Sequence, residues 1–416
     1  MKQLTGAAAR KMIFLFAAIY FTSYITRINY ATVLIEIVQQ EGFAKTQAAA
    51  ALTASAVTYA AGQLISGYLG DKVRPALLIL GGLGCASAVN LFMPFCRTAG
   101  QMAALWGVNG FAQAMIWPPM VKLMTDLFDE DTYRRACVRV SWGSAIATIC
   151  VYLAVPLILR IAGWHWVFFS AAALGSCVCI AWAVLSRHMD GGQKAVQKIK
   201  PRWESADRRQ IAVVLAFVMP AVILQGFLRD GISSWLPTLV AESFSLSSAA
   251  SILSGVVLPV FTMLCLQAAA YGSRKLIQNE MLGSAAFFIS ASAALAALLF
   301  SGSAAVSVLA AAAAQGVMHG VNYFLICLVP AYFSKYRCTA LVSGALNCCT
   351  YIGSAVSAWG TAAISQSSGW SAVAVSWLAA ALAGGVLCFW GSGLWMRFRN
   401  LPKAKNGTIH QTMQEK

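Results

Sequence analysis

Two residues decide where chemistry should be sought in this 416-residue chain, Arg27 and Arg229. Each falls near the middle of an apolar run of membrane-spanning length, where an arginine costs ~2.5–3.5 kcal/mol on insertion scales. The pair would cost about 5–7 kcal/mol if both faced lipid, so both are expected to face an interior cavity. A nearby carboxylate would relieve that cost, but the sequence offers few. Of 14 Asp and Glu, nearly all lie in loops or at the edges of apolar runs, and Asp230 alone sits well inside one. Neighbours on a helix point about 100° apart, so Asp230 is expected to be badly placed to neutralise Arg229. At least one positive charge is then left for a ligand. Guanidinium forks suit phosphate or carboxylate through paired hydrogen bonds, which makes a small anion the expected visitor. The alternative is that the arginines bind backbone carbonyls or an internal acid and merely pin helices.

Other polar groups in apolar runs are scarce. His319, Asn322 and Asn347 suit either recognition of the organic part of a ligand or hydrogen bonds between helices. Proton-driven carriers usually relay through intramembrane Asp, Glu or His, and the candidates here are Asp230, His319 and Glu36. Exchange of one anion for another needs no such relay. No nucleophile and base constellation, Walker loop or metal-ligand spacing is found, so no enzyme, cofactor or metal is inferred. The twelve cysteines are scattered through the runs and read as soft packing residues.

The elements that must hold these groups follow from composition. The chain is 59% hydrophobic and 11% charged, against about 25% charged residues in soluble proteins. Apolar runs near 11–37, 46–70, 75–96, 101–125, 134–160, 166–186, 210–240, 247–271, 278–300, 304–330, 338–365 and 370–395 are long enough to span a bilayer as helices. The protein is therefore an all-α membrane protein of about twelve transmembrane helices. The first run is too long for a signal peptide and is expected to stay as a helix. With the N-terminus inside, about 24 of the 30 Lys and Arg fall on the cytoplasmic side, which places both termini there. The charge of +16 thus needs no nucleic acid to explain it. Trp164, Trp166, Trp370 and Trp395, near span ends, read as interfacial anchors. The division expected is a six-helix bundle over 1–186, a basic linker over 187–209, a second bundle over 210–396 and a cytoplasmic tail over 397–416.

The two bundles share a register. Arg27 precedes Asp71 by 44 residues and Arg229 precedes Ser273 by 44, an offset of 202 between halves at both landmarks. Gly163-Trp164 and Gly369-Trp370 repeat at an offset of 206. Gly67-x-Leu-x-Asp71-Lys72-x-Arg74 resembles the signature loop of the major facilitator superfamily, whose charged groups bridge helix ends and help gate alternating access. The segments Tyr24-x-x-Arg27-x-Asn29-Tyr30, Gly110-Phe-x-Gln113-x-Met115-x-Trp117-Pro118-Pro119 and Leu228-Arg229-Asp230-Gly231-Ile232-x-x-Trp235-x-Pro237-Thr238, with Tyr351-Ile-Gly353, resemble the organophosphate:phosphate antiporter family within it.

That resemblance implies a major facilitator fold of two six-helix bundles in a bacterial cytoplasmic (inner) membrane. It also implies a monomer that exchanges a phosphorylated metabolite for inorganic phosphate. Arg27 and Arg229 would grip the phosphoryl group while Tyr24, Tyr59, Gln113 and Tyr351 line the cavity. Gln63, which would also line the cavity, stands where the family has a lysine, Ala145 where it has a histidine, and Ile28 where a lysine usually follows the first arginine. The cavity should be less positive than in the family's phosphate-ester carriers, which keeps a carboxylate, a phosphonate or a phosphodiester open as substrate. Proton symport and a transporter-like sensor of sugar phosphates stay open as modes of action.

Overall fold

The computed structural model describes residues 4–187, 205–244 and 257–400, and every regular element among them is helical. The first half comprises α1 (Gly6–Thr32), α2 (Leu34–Glu41), α3 (Lys45–Gly70), α4 (Pro75–Phe92), α5 (Ala99–Ala114), α6 (Trp117–Leu127), α7 (Glu130–Ala162) and α8 (Trp164–Arg187). The second comprises α9 (Ser205–Phe244), α10 (Val257–Lys275), α11 (Glu280–Leu299), α12 (Ala304–Asn322) and α13 (Thr339–Arg399). Nine of the described helical segments are long and apolar enough to cross a membrane. Counting the 61-residue α13 as two spans, and adding α10 and the broken pair α5–α6, gives twelve passages. Most of the expected linker, the tail beyond 400 and the start of the eighth span lie outside the described residues.

Local chemistry sets the breaks. The fourth span is interrupted at Met115-Ile116 because Pro118 and Pro119 open α6, where missing amides cost nothing. Asp129 caps α7 by accepting the Thr132 amide at 2.8 Å, and Asn279 caps α11 by accepting those of Met281 and Leu282. The repeated Gly-Trp turns share one backbone conformation, φ 78° and ψ 174° at Gly163 against φ 79° and ψ 177° at Gly369. Only glycine adopts that region without strain, so the bend that separates the last two spans is written into position 369.

Span ten departs from regular winding. After Asn322 the chain takes six residues of π-helix, Tyr323–Leu328, then a 3-10 stretch, Val329–Tyr336. Two cores belong to single halves, one around Tyr30, Trp106 and Phe168 and the other around Val218, Phe288, Leu346 and Trp377. A third joins them, with Trp117, Met120 and Met124 packed with Leu266, Tyr323 and Phe324. Trp164 and Trp395 are fully buried within these cores, so they are not interfacial anchors; Trp166 is exposed.

Candidate functional site

Both arginines point into the protein. Arg27, on α1, lies over the rings of Tyr24 and Tyr59 at 4.4 and 5.1 Å and donates to the Tyr351 hydroxyl at 3.2 Å. Ring faces and a phenol oxygen offer partial negative charge but no full one. No carboxylate lies within ion-pair distance of Arg27 among the described residues.

Arg229 is held differently. Its Nε and Nη2 donate to the two carboxylate oxygens of Asp230 at 2.6 and 2.9 Å, and its Nη1 reaches Asn322 Oδ1 at 3.4 Å. The expectation that Asp230 is badly placed is therefore wrong. The Cβ atoms diverge as the helix requires, but three methylenes let the guanidinium turn its edge back to the carboxylate. Where water is scarce, that paired form is favoured over two lone charges.

A narrow cavity of about 40 Å³ lies between the halves. Its wall includes Arg229, Tyr24, Tyr59, Tyr351, His319, Asn322 and Asn347. Arg27 stands behind the tyrosines that surround it. Two expected lining residues do not reach the cavity. Gln113 is buried, accepting the Ser23 hydroxyl at 2.5 Å and donating to Thr26 Oγ1 at 2.9 Å, so it fixes α1 to α5 beside Arg27. Gln63 is also fully buried and accepts from Asn347 Nδ2 at 3.0 Å across the halves. Tyr20, Trp117, Ser141 and Ser144 join the wall without having been anticipated. Ser141 and Ser144 are three apart on one face of α7, and Ser144 precedes Ala145, which is the only trace of them in the sequence.

The polar side of the cavity is wired. Gln315 Oε1 accepts the Thr262 hydroxyl at 3.2 Å, so its amide nitrogen faces His319 Nε2 at 3.1 Å as donor. His319 Nε2 is then the bare acceptor of its ring, and Nδ1 carries the hydrogen.

Residues 16–358 match the sequence profile of the Major Facilitator Superfamily. The chain belongs to that family. A probable hexose phosphate transport protein of Chlamydia muridarum (strain MoPn / Nigg) is 23% identical over 191 residues, 44% of this chain and 40% of that one. The glycerol-3-phosphate transporter of Bacillus subtilis (strain 168) is 23% identical over 252 residues, 54% of this chain and 55% of that one. The chain thus spans about half the length of these curated relatives. In fold it is similar to the Escherichia coli fucose:proton symporter, with a TM-score of 0.71 at 16% identity over 95% of this chain and 100% of that one.

Among the described residues of this facilitator, several cross-half contacts cluster at the end where α3 gives way to α4 and α13 begins. There the Asp71 carboxylate accepts the backbone amides of Ala340 and Leu341 at 3.1 and 2.8 Å, capping α13 from the opposite half. Burial pushes the Asp71 carboxyl up from its ordinary value, against the pull of those two amides. Gly67 makes the approach feasible: a Cβ there would lie 2.7 Å from the Ala340 carbonyl. Lys72, just past the end of α3, folds back onto Tyr68 of that helix, and Arg74 leads into Pro75 at the start of α4. The Tyr133 hydroxyl donates to the Cys327 carbonyl, again across the halves.

Proposed function

We propose that this protein carries a small organic anion across a bacterial cytoplasmic membrane by rocking its two halves about the central cavity, with Arg27 as the charge that draws the anion in. The observation that carries this reading is the setting of Arg27, a guanidinium deep in the molecule with tyrosines around it and no carboxylate among the described residues. An arriving phosphate or carboxylate supplies the missing countercharge and displaces the weak Tyr351 contact. Lys72, Arg74, Arg134, Arg274, Lys335 and Arg399 gather toward the end where the halves meet. By the positive-inside bias that end is cytoplasmic, and the cavity faces outward.

The names of the hexose phosphate and glycerol-3-phosphate relatives support a phosphorylated metabolite as substrate, with inorganic phosphate as counter-substrate. A second reading rests on the Arg229–Asp230 pair. It leaves the two arginines and Asp230 with a net charge of one rather than two, in a site that already has Gln63 and Ala145 in place of cationic groups. That balance favours a singly charged carboxylate, phosphonate or phosphodiester, with Asp230 or His319 taking up a proton.

Purified protein in vesicles without a pH gradient and loaded with phosphate separates the two. Uptake driven by internal phosphate supports exchange, whereas uptake only under an imposed proton gradient supports symport. A thermal-shift panel of sugar phosphates, glycerol phosphates, phosphonates and dicarboxylates names the substrate class. Ligand-induced stabilisation without flux in either vesicle would replace transport by sensing.

A further inference from the structure

The end where the halves meet carries two unlike fastenings, and the internal repeat shows why. In the first half Asp71 crosses to cap α13. The equivalent position in the second half is Ser273, 202 residues later. Its hydroxyl stays at home, donating to the Ala270 carbonyl at 2.9 Å and lying 3.4 Å from the Tyr323 hydroxyl. The helix start it would have capped, that of α7, is served instead by Asp129 of the same half. The second half has lost its crossing acid.

Seven residues further on, Glu280 opens α11 and is 1% exposed. Three donors from its own half hold it: the Tyr332 hydroxyl at 2.7 Å, Trp395 Nε1 at 2.8 Å and Arg399 Nη1 at 3.5 Å. The fourth comes from the first half, Arg134 Nη2 on α7 at 3.1 Å. Arg134 is 6% exposed, keeps Glu130 of its own helix at 2.9 Å, and has an Nη1 with no hydrogen-bond partner among the described residues.

We propose that Glu280 and Arg134 are socket and plug, a separable ion pair that takes over the lost role of the Ser273 position and holds this end of the transporter shut. The division of partners is what makes it separable. Removing one member of an ordinary buried pair leaves a bare charge, which is strongly destabilising. Here each member has a second set of partners on its own side. When the halves part, Glu280 keeps three donors and Arg134 keeps Glu130, so opening breaks the Arg134 bonds to Glu280 and, at 3.3 Å, to the Tyr332 hydroxyl without stranding either charge. A pair that served folding alone would have no need of partners divided by half. The proposal holds whichever anion is carried.

The test uses the full chain in lipid nanodiscs, with spin labels on non-canonical residues replacing Leu77 and Leu276, both exposed and in opposite halves near this end. Pulsed electron resonance then reads the distance across it. Arg134→Ala should raise the population with the halves apart by about tenfold or more. Glu280→Gln should do the same, and the double variant should add little to either, as coupled partners require. Arg134→Lys, which keeps the charge, should restore much of the closed population. Unchanged distances in Arg134→Ala, or effects of the two changes that simply add, would overturn the proposal. Should Glu280→Gln fail to assemble, Arg134→Ala decides alone, because it leaves the three second-half donors in place.

Discussion

Arg27 and Arg229 occupy equivalent depths in the two halves, yet their surroundings are opposite. Arg27 rests among Tyr24, Tyr59 and Tyr351, groups that polarise toward a cation without cancelling it. Arg229 is clasped through two hydrogen bonds by the next residue in the chain. Duplication put a guanidinium at each place, and divergence then left one charge open and closed the other. A symmetric scaffold has produced an asymmetric site, in which the first half offers an open charge and the second a neutralised pair, amides and an imidazole.

The severest way to break this contrast is to change the open charge. Arg27→Lys swaps a fork for a point charge, and uptake into vesicles is expected to fall by about a hundredfold with the protein still folded, as a loss of paired hydrogen bonds predicts; wild-type uptake would mean that Arg27 does not touch the anion. Next comes release of the closed charge. Asp230→Asn frees Arg229 and is expected to tighten binding of a doubly charged phosphate ester by about tenfold relative to a singly charged carboxylate, measured by calorimetry. Equal effects on both ligands would show that the pair is not part of the charge balance. A gentler change tests the phenol that faces Arg27. Tyr351→Phe keeps the ring and removes one hydroxyl, and a change of about threefold to tenfold in apparent affinity is expected.

The smallest effect concerns pH at the meeting of the halves. The Asp71 carboxyl is raised in the closed form by burial, and in the open form it meets water and returns toward its ordinary value. The closed form therefore binds a proton more readily, so lowering the pH from neutral through the raised value toward the ordinary one should favour closure. Asp71→Asn should abolish that dependence in the same distance measurement. Opening on acidification would contradict it.

Much of this was legible before any coordinates. Long apolar runs interrupted by Gly163, Gly369 and the two prolines after Trp117 dictate helices and their breaks, because backbone groups in lipid must be satisfied within the segment. The arginines were legible because charge at that depth is costly. What the sequence hid was side-chain reach. An adjacent acid looked harmless on a helical wheel, yet Arg229 has enough rotatable bonds to find it. Gln63 and Gln113 read as lining groups but are ties between helices: Gln113 uses both ends of its amide in burial, and Gln63 accepts from Asn347 across the halves. Trp395 sits near a span end as an anchor would, but its ring nitrogen answers Glu280, a partner 115 residues away.

The altered winding of Tyr323–Leu328 carries a last consequence. In an ordinary helix each carbonyl is engaged four residues along. The looser coil in span ten lets the Cys327 oxygen receive a guest, and the guest is Tyr133 from across the divide. Because that acceptor belongs to the main chain, no substitution at position 327 can delete it. Only rewinding the segment to the common pitch would withdraw it, and with it turn Tyr332, a few residues downstream, away from the acid it now serves.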